Sequence, residues 1–250
     1  MRNVLLASLF CAACTAETAG ESVQVHWVLD QDERAENTDF ETDTGYRVHL
    51  DEARVDVASV YLYAPPSARL RAIAWLERSL VSVAHAHGGV DNEKGRRVLA
   101  EWTKPMNIDA LAGSAQELSE AAAEGGVVDA VKLELKKGVI ARVRGSAERE
   151  GKHWRFEADI DPEDAIARTV ELIELNETLE ADTVVHVSVQ PKAWLQLCDF
   201  SRLGEGATDA DSADVVQLST DDQVGRALSI GVRSPNAFRV YLEEEGGHAH

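Results

Sequence analysis

A mainly β chain, folded as an antiparallel β-sandwich with one amphipathic helix and short helical turns, is the class this sequence predicts. Three observations carry that reading. Apolar and polar residues alternate over many short segments, which is the period of a half-buried strand. Glycine, proline, asparagine and aspartate punctuate those segments at intervals that suit turns. Only one long stretch, about 67–84, keeps the period of a helix.

In chain order, Val23, Val25, Trp27 and Leu29 alternate with Gln24, His26 and Val28, a strand pattern. An acidic stretch over Asp30–Asp43 is too polar for a core. Alternation resumes over Tyr46–Leu50 and Arg54–Tyr63, where Val55, Val57, Ser59, Tyr61 and Tyr63 share one face. Pro65 and Pro66 close that strand. Leu70, Ile73, Leu76, Leu80 and Val83 then form a helical stripe, with Ser67 as its cap. Short strands are expected from Val98 and from Met106. Gln116–Glu124 reads as a short helix stopped by Gly125 and Gly126.

The second half continues as strands from Val127, Val139, Trp154, Thr169, Thr183 and Ala193, with a last one over Ala237–Leu242. Asp161-Pro162 and the box Thr220–Gln223 read as local helix starts. Roughly nine or ten short strands and few helices favour the sandwich. The expected organisation is a signal segment over 1–13, a tether over 14–22, one β-sandwich domain over 23–245 and a histidine-bearing tail over 246–250. Two small β domains meeting near 113–126 are the alternative.

The first residues, MRNVLLASLFCAAC, have a basic start at Arg2, an apolar run from Val4 to Phe10, and small residues Ala12 and Ala13 before Cys14. That is the layout of a secretory signal, and it is too short for a permanent membrane span. The segment resembles the lipobox of bacterial lipoproteins, with Cys11 standing where that family usually has an aliphatic residue. The resemblance implies cleavage before Cys14, lipid on that cysteine, and a membrane as partner through the anchor. By analogy with enteric lipoproteins, Thr15 in place of Asp implies the outer membrane, facing the periplasm or the cell surface. An ordinary signal peptide cleaved near Ala16–Ala19 is the alternative.

Charge narrows the partners. With 25 basic and 44 acidic residues the net charge is −19, which repels nucleic acid and anionic lipid surfaces. With Cys11 removed and Cys14 lipidated, Cys198 has no intrachain partner, and it reads as a buried structural thiol.

The chemically richest feature is a repeated phrase. Residues 84–89 read AHAHGG and residues 246–250 read GGHAH. Alternate side chains of an extended segment share a face, so His85 with His87, and His248 with His250, can each converge. Imidazole suits Cu(II) and Zn(II), and the flanking glycines let a loop bend around an ion. These four histidines are the candidate metal ligands, with copper or zinc as the ion. By export, alternating strands and histidine loops, the chain also distantly resembles periplasmic β-sandwich proteins associated with copper, which implies Cu(II).

His26, His49 and His186 sit on or near the polar phase of strands and read as surface or hydrogen-bonded residues. His26 and His49 could pair across neighbouring strands. The acids Asp39, Glu41, Asp43, Asp209 and Asp211 lack the spacing of an EF-hand and read as solvated. No nucleophile elbow, phosphate loop, HExxH or dinucleotide fingerprint occurs, so no enzymatic activity is expected. The function expected is metal binding by a lipid-anchored envelope protein. The alternative is a structural or protein-interaction lipoprotein that holds an envelope protein partner without a metal.

Overall fold

The computed structural model describes residues 20–30, 37–66, 96–162 and 168–244. The helix expected over 67–84, Cys14, and all four histidines of the His-Ala-His phrases lie outside them.

The described residues form strands β1 (Ser22–Leu29), β2 (Asp39–Glu41), β3 (Arg47–Tyr63), β4 (Val98–Trp102), β5 (Met106–Asp109), β6 (Gln116–Glu124) and β7 (Gly126–Leu135). Strands β8 (Ala141–Arg149), β9 (Lys152–Ile160), β10 (Thr169–Leu179), β11 (Thr183–Val189), β12 (Val215–Leu218) and β13 (Phe238–Glu244) follow. Two helices, α1 (Pro191–Leu195) and α2 (Gln223–Val232), lie between the last strands.

One sheet has four strands in the order β13-β11-β1-β6. The other runs β10-β7-β3-β8-β9-β12, with β2, β4 and β5 all paired to β3. Inward residues of both sheets, among them Val25, Trp27, Leu50, Leu62, Leu133, Phe156 and Val185, join one buried cluster. Burial of that apolar surface is the main force holding the sheets face to face.

The mainly β class therefore holds, with differences in detail. Two strand pairs, β1 with β11 and β9 with β12, are parallel rather than antiparallel. A tight hairpin forces antiparallel neighbours, but β1 and β11 are joined through most of the chain, so no turn dictates their direction. The segments expected at Tyr46–Leu50 and Arg54–Tyr63 are one strand, β3, bent by a register shift between Leu50 and Glu52 in its pairing with β8. A second shift between Val57 and Ser59, against β7, changes the inward phase, so Val60 and Leu62 are interior and Tyr61 is not.

Gln116–Glu124 is a strand and not the expected helix. Its Ala- and Glu-rich sequence suits a helix, but that preference is only a few tenths of a kcal/mol per residue. Pairing along β1, from Ser22 opposite Glu124 to Leu29 opposite Gln116, outweighs it. The strand expected from Ala193 is instead helix α1, which Pro191 starts in the first turn, followed by a 3-10 turn at Phe200–Leu203. The helix expected after Thr220 is present, but its cap is Asp222, whose carboxylate accepts from Gly225 N at 2.6 Å.

Buried Tyr46 ties the turn after α1 to the larger sheet. Its hydroxyl donates to Asp199 Oδ1 at 2.9 Å and accepts from Ser201 N at 2.9 Å, while Ser201 Oγ donates to the same carboxylate at 2.7 Å. The bonds from Ser201 and then Tyr46 hold the Asp199 carboxyl below its ordinary value of 3.8. The folded state thus favours the charged form. This contribution is complete above the unfolded pKa and is lost as pH falls through the lower folded value. Tyr46→Phe is expected to cost about 1–1.5 kcal/mol at neutral pH. The cost should shrink under strongly acid conditions, as measured by urea unfolding at both pH values. An equal loss at both would contradict the assignment.

Candidate functional site

Strand alternation gives the four-stranded sheet two unlike faces. On β1 the residues Val23, Val25, Trp27 and Leu29 are buried, which leaves Gln24, His26 and Val28 outward. On β11 the inward set is Val185, Val187 and Val189, and His186 points out. On β13 Tyr241 and Glu243 take the outward phase, and on β6 Glu120 stands opposite His26.

The register sets these side chains in two rows. In one, Glu243 faces Val184 across β13 and β11, Val184 faces His26, and His26 faces Glu120. In the next, Tyr241 faces His186 and His186 faces Val28. The result is a groove of about 650 Å³ with Val28, Val184 and Leu118 among its apolar lining and His26, His186, Glu120 and Glu243 among its polar lining.

His186 is the most enclosed of these groups, with a side chain 15 % exposed. Its ring lies flat on Tyr241, centroids 4.4 Å apart and planes 4° from parallel. Nε2 is 3.4 Å from Glu243 Oε2, and Nδ1 is 4.0 Å from Asp30 Oδ2. Nδ1 is buried without a hydrogen-bond partner among the described residues. Asp30 instead accepts from the Tyr241 hydroxyl, and burial followed by that bond pushes the Tyr241 pKa well up, so the phenol stays protonated. His26 Nδ1 lies 3.9 Å from Glu120 Oε1.

The other histidine with a defined partner, His49, is in the larger sheet, where Nδ1 is 2.7 Å from Asp39 Oδ1. It therefore does not pair with His26, because the two strands belong to different sheets. Cys198 is buried as expected. Burial, then the Asp222 charge, lifts its thiol to about 12, so it is no thiolate ligand at neutral pH. Asp209 caps a 3-10 turn by accepting from Asp211 N at 3.1 Å.

The described strands also show where the remaining segments attach. At one pole of the smaller sheet, Ser22 lies opposite Glu124, and Gly125 N donates to Glu21 O at 2.8 Å. Arg97 pairs with Glu124 at that corner, and Ala64 N donates to Arg97 O at 2.8 Å. Glu244 lies opposite Thr183, and Thr183 opposite Val25, only three residues along β1 from Ser22. Segments 1–19, 67–95 and 245–250 thus all join the described residues at this pole. That clustering was not legible in the sequence, since it depends on how distant strands pair. His26 and His186 were set aside there for the same reason.

No family model matches the chain, and no curated protein matches it. Among solved structures, MbnP from Methylosinus trichosporium aligns at 9 % identity over 89 % of this chain and 98 % of that one, with a TM-score of 0.33. A superposition that loose relates no individual residue of the two chains.

Proposed function

We propose that this chain is an exported envelope protein, anchored by lipid on Cys14, that binds a divalent transition metal without catalysing a reaction. In this reading His85, His87, His248 and His250 supply the nitrogen ligands, and Cu(II) is the preferred ion by the usual order of divalent affinities. The observation that carries it is the common pole at which the two histidine-bearing segments attach.

Chain length permits the meeting. His248 is four residues beyond Glu244, a span of up to about 14 Å, and His87 is nine residues before Arg96, a span of up to about 30 Å. The attachment corners sit on opposite edges of the four-stranded sheet, three strand spacings apart, or about 14 Å. The same pole receives the segment that follows Cys14, so an anchored molecule would carry its histidines on the membrane side.

Calorimetric titration of Cu(II) into the purified chain and into a His85→Ala/His87→Ala variant tests the site. The wild type is expected to bind one ion at this site. Loss of a supporting partner alone costs 10–100-fold, so removing two ligands should weaken binding by about a hundredfold or more. Equal affinity in both proteins, or none in either, would overturn the reading and favour an interaction role instead.

A further inference from the structure

We infer that Asn176 is an acceptor for an N-linked glycan, transferred from a polyprenyl-diphosphate-linked oligosaccharide by an envelope oligosaccharyltransferase. The inference rests on the exported location in the proposed function and takes nothing from its metal site.

The run Glu174-Leu175-Asn176-Glu177-Thr178 holds an asparagine with a hydroxyl residue two places on and no proline between, which is the phrase such an enzyme reads. Asn3, Asn37, Asn92, Asn107 and Asn236 each lack Ser or Thr at that distance. Glu174, two residues ahead of Asn176, supplies the acid that bacterial enzymes of this class use as a further contact.

The fold presents those side chains to solvent. Strand β10 ends the path of the larger sheet, with β7 as its ladder neighbour. Glu174, Asn176 and Thr178 are exposed, while Ile173, Leu175 and Glu177 are half-buried and Leu179 is buried. The register breaks where Leu175 and Asn176 together stand between the pairs Glu174–Ala130 and Glu177–Val128, a bulge that takes Asn176 out of the regular ladder. Asn176 has a φ of 56° there, a left-handed conformation that asparagine adopts more readily than most residues with a side chain. Neither its carboxamide nor the Thr178 hydroxyl has a hydrogen-bond partner among the described residues. Glu177, between them, is held by its carboxylate, which accepts from Leu242 N at 2.6 Å. The acceptor amide and the hydroxyl that positions it are therefore both free on the exposed side of one anchored strand.

Transfer forms one bond, from Asn176 Nδ2 to the anomeric carbon of the first sugar, and breaks that carbon's bond to the diphosphate oxygen. Polyprenyl diphosphate leaves, and the amide nitrogen gives one proton to a base of the enzyme. The product is a bulky, solubilising group on the protein surface. On an end strand it also obstructs pairing with another chain, as charged residues and proline do at other sheet edges.

The test mixes the purified, folded chain with a bacterial oligosaccharyltransferase and a polyprenyl-diphosphate-linked oligosaccharide, and reads intact mass followed by peptide mapping. One glycan on Asn176 is expected. Asn176→Asp, which keeps the size and backbone preference of the side chain, and Thr178→Val should each abolish it, and Thr178→Ser should retain it. Glu174→Gln should slow transfer by about tenfold, the worth of one charge-assisted bond. Circular dichroism confirms that each variant is folded, and a known acceptor peptide confirms that the enzyme is active. No glycan on the folded parent, or a glycan that persists in Asn176→Asp, would overturn the inference. The reaction is run in solution, so its outcome does not depend on the signal segment, and the mass of the mature N-terminus from cells tests export separately.

Discussion

Trp27→Ala is expected to cost about 3–5 kcal/mol, because it removes the largest side chain that β1 sends between the sheets. Trp27 is 1 % exposed, and its ring lies 6.0 Å from that of Trp102 on β4 of the larger sheet. The pair is an apolar link from one sheet to the other. Its replacement by alanine leaves a void between the sheets that relaxation of the surrounding groups fills only in part. Trp27→Phe should cost much less, about 1–2 kcal/mol, since most of the buried area remains. The indole Nε1 has no hydrogen-bond partner among the described residues, so phenylalanine also removes an unsatisfied donor. Denaturant unfolding of the three proteins checks the ranking. Equal losses for Ala and Phe would show that the nitrogen, and not the packed area, matters.

Gly231→Ala is expected to destabilise by about 1–3 kcal/mol, opposite to the usual effect of that change inside a helix. A Cβ at Gly231 of α2 would stand 2.2 Å from the Trp194 carbonyl oxygen and 2.7 Å from its carbonyl carbon in α1. Both are backbone atoms of a helix whose Trp194 side chain is fully buried, so neither can swing aside. The helices would have to part, pulling Trp194 from the core. A thermal melting temperature unchanged or raised by the substitution would show that α1 can yield without loss.

These residues mark what the sequence could and could not convey. The alternation in Val23–Leu29 identified that strand and its inward residues, because pleating alone dictates side-chain direction, and Thr183–Val189 was legible as a strand with His186 on or near its polar phase. It could not say that the two strands lie side by side and parallel, which is what brings His26 and His186 onto one groove. The segments Gln116–Glu124 and Ala193–Phe200 were misread for opposite reasons. The first has helical composition but an available strand neighbour. The second has strand-like apolar residues but Pro191 in the first turn to start a helix. The Val60 and Leu62 phase was hidden by a bulge, which leaves no compositional mark. The His-Ala-His phrases were visible in the sequence, and they lie outside the described residues.

The central position of β1 has a kinetic consequence. Its sheet neighbours are β6 and β11, so it gains its first ladder only when the chain has extended to Gln116–Glu124, and its second only at Thr183–Val189. Closing loops of that length costs entropy before any contact repays it, whereas β8 and β9 meet across a turn of two residues between Arg149 and Lys152. A chain growing from its N-terminus therefore carries Val23–Leu29, with Val23, Val25, Trp27 and Leu29 along one side, without its β6 ladder until Gln116–Glu124 has been made and without its β11 ladder until Thr183–Val189 has. That interval is when self-association through this segment competes with correct closure of the smaller sheet.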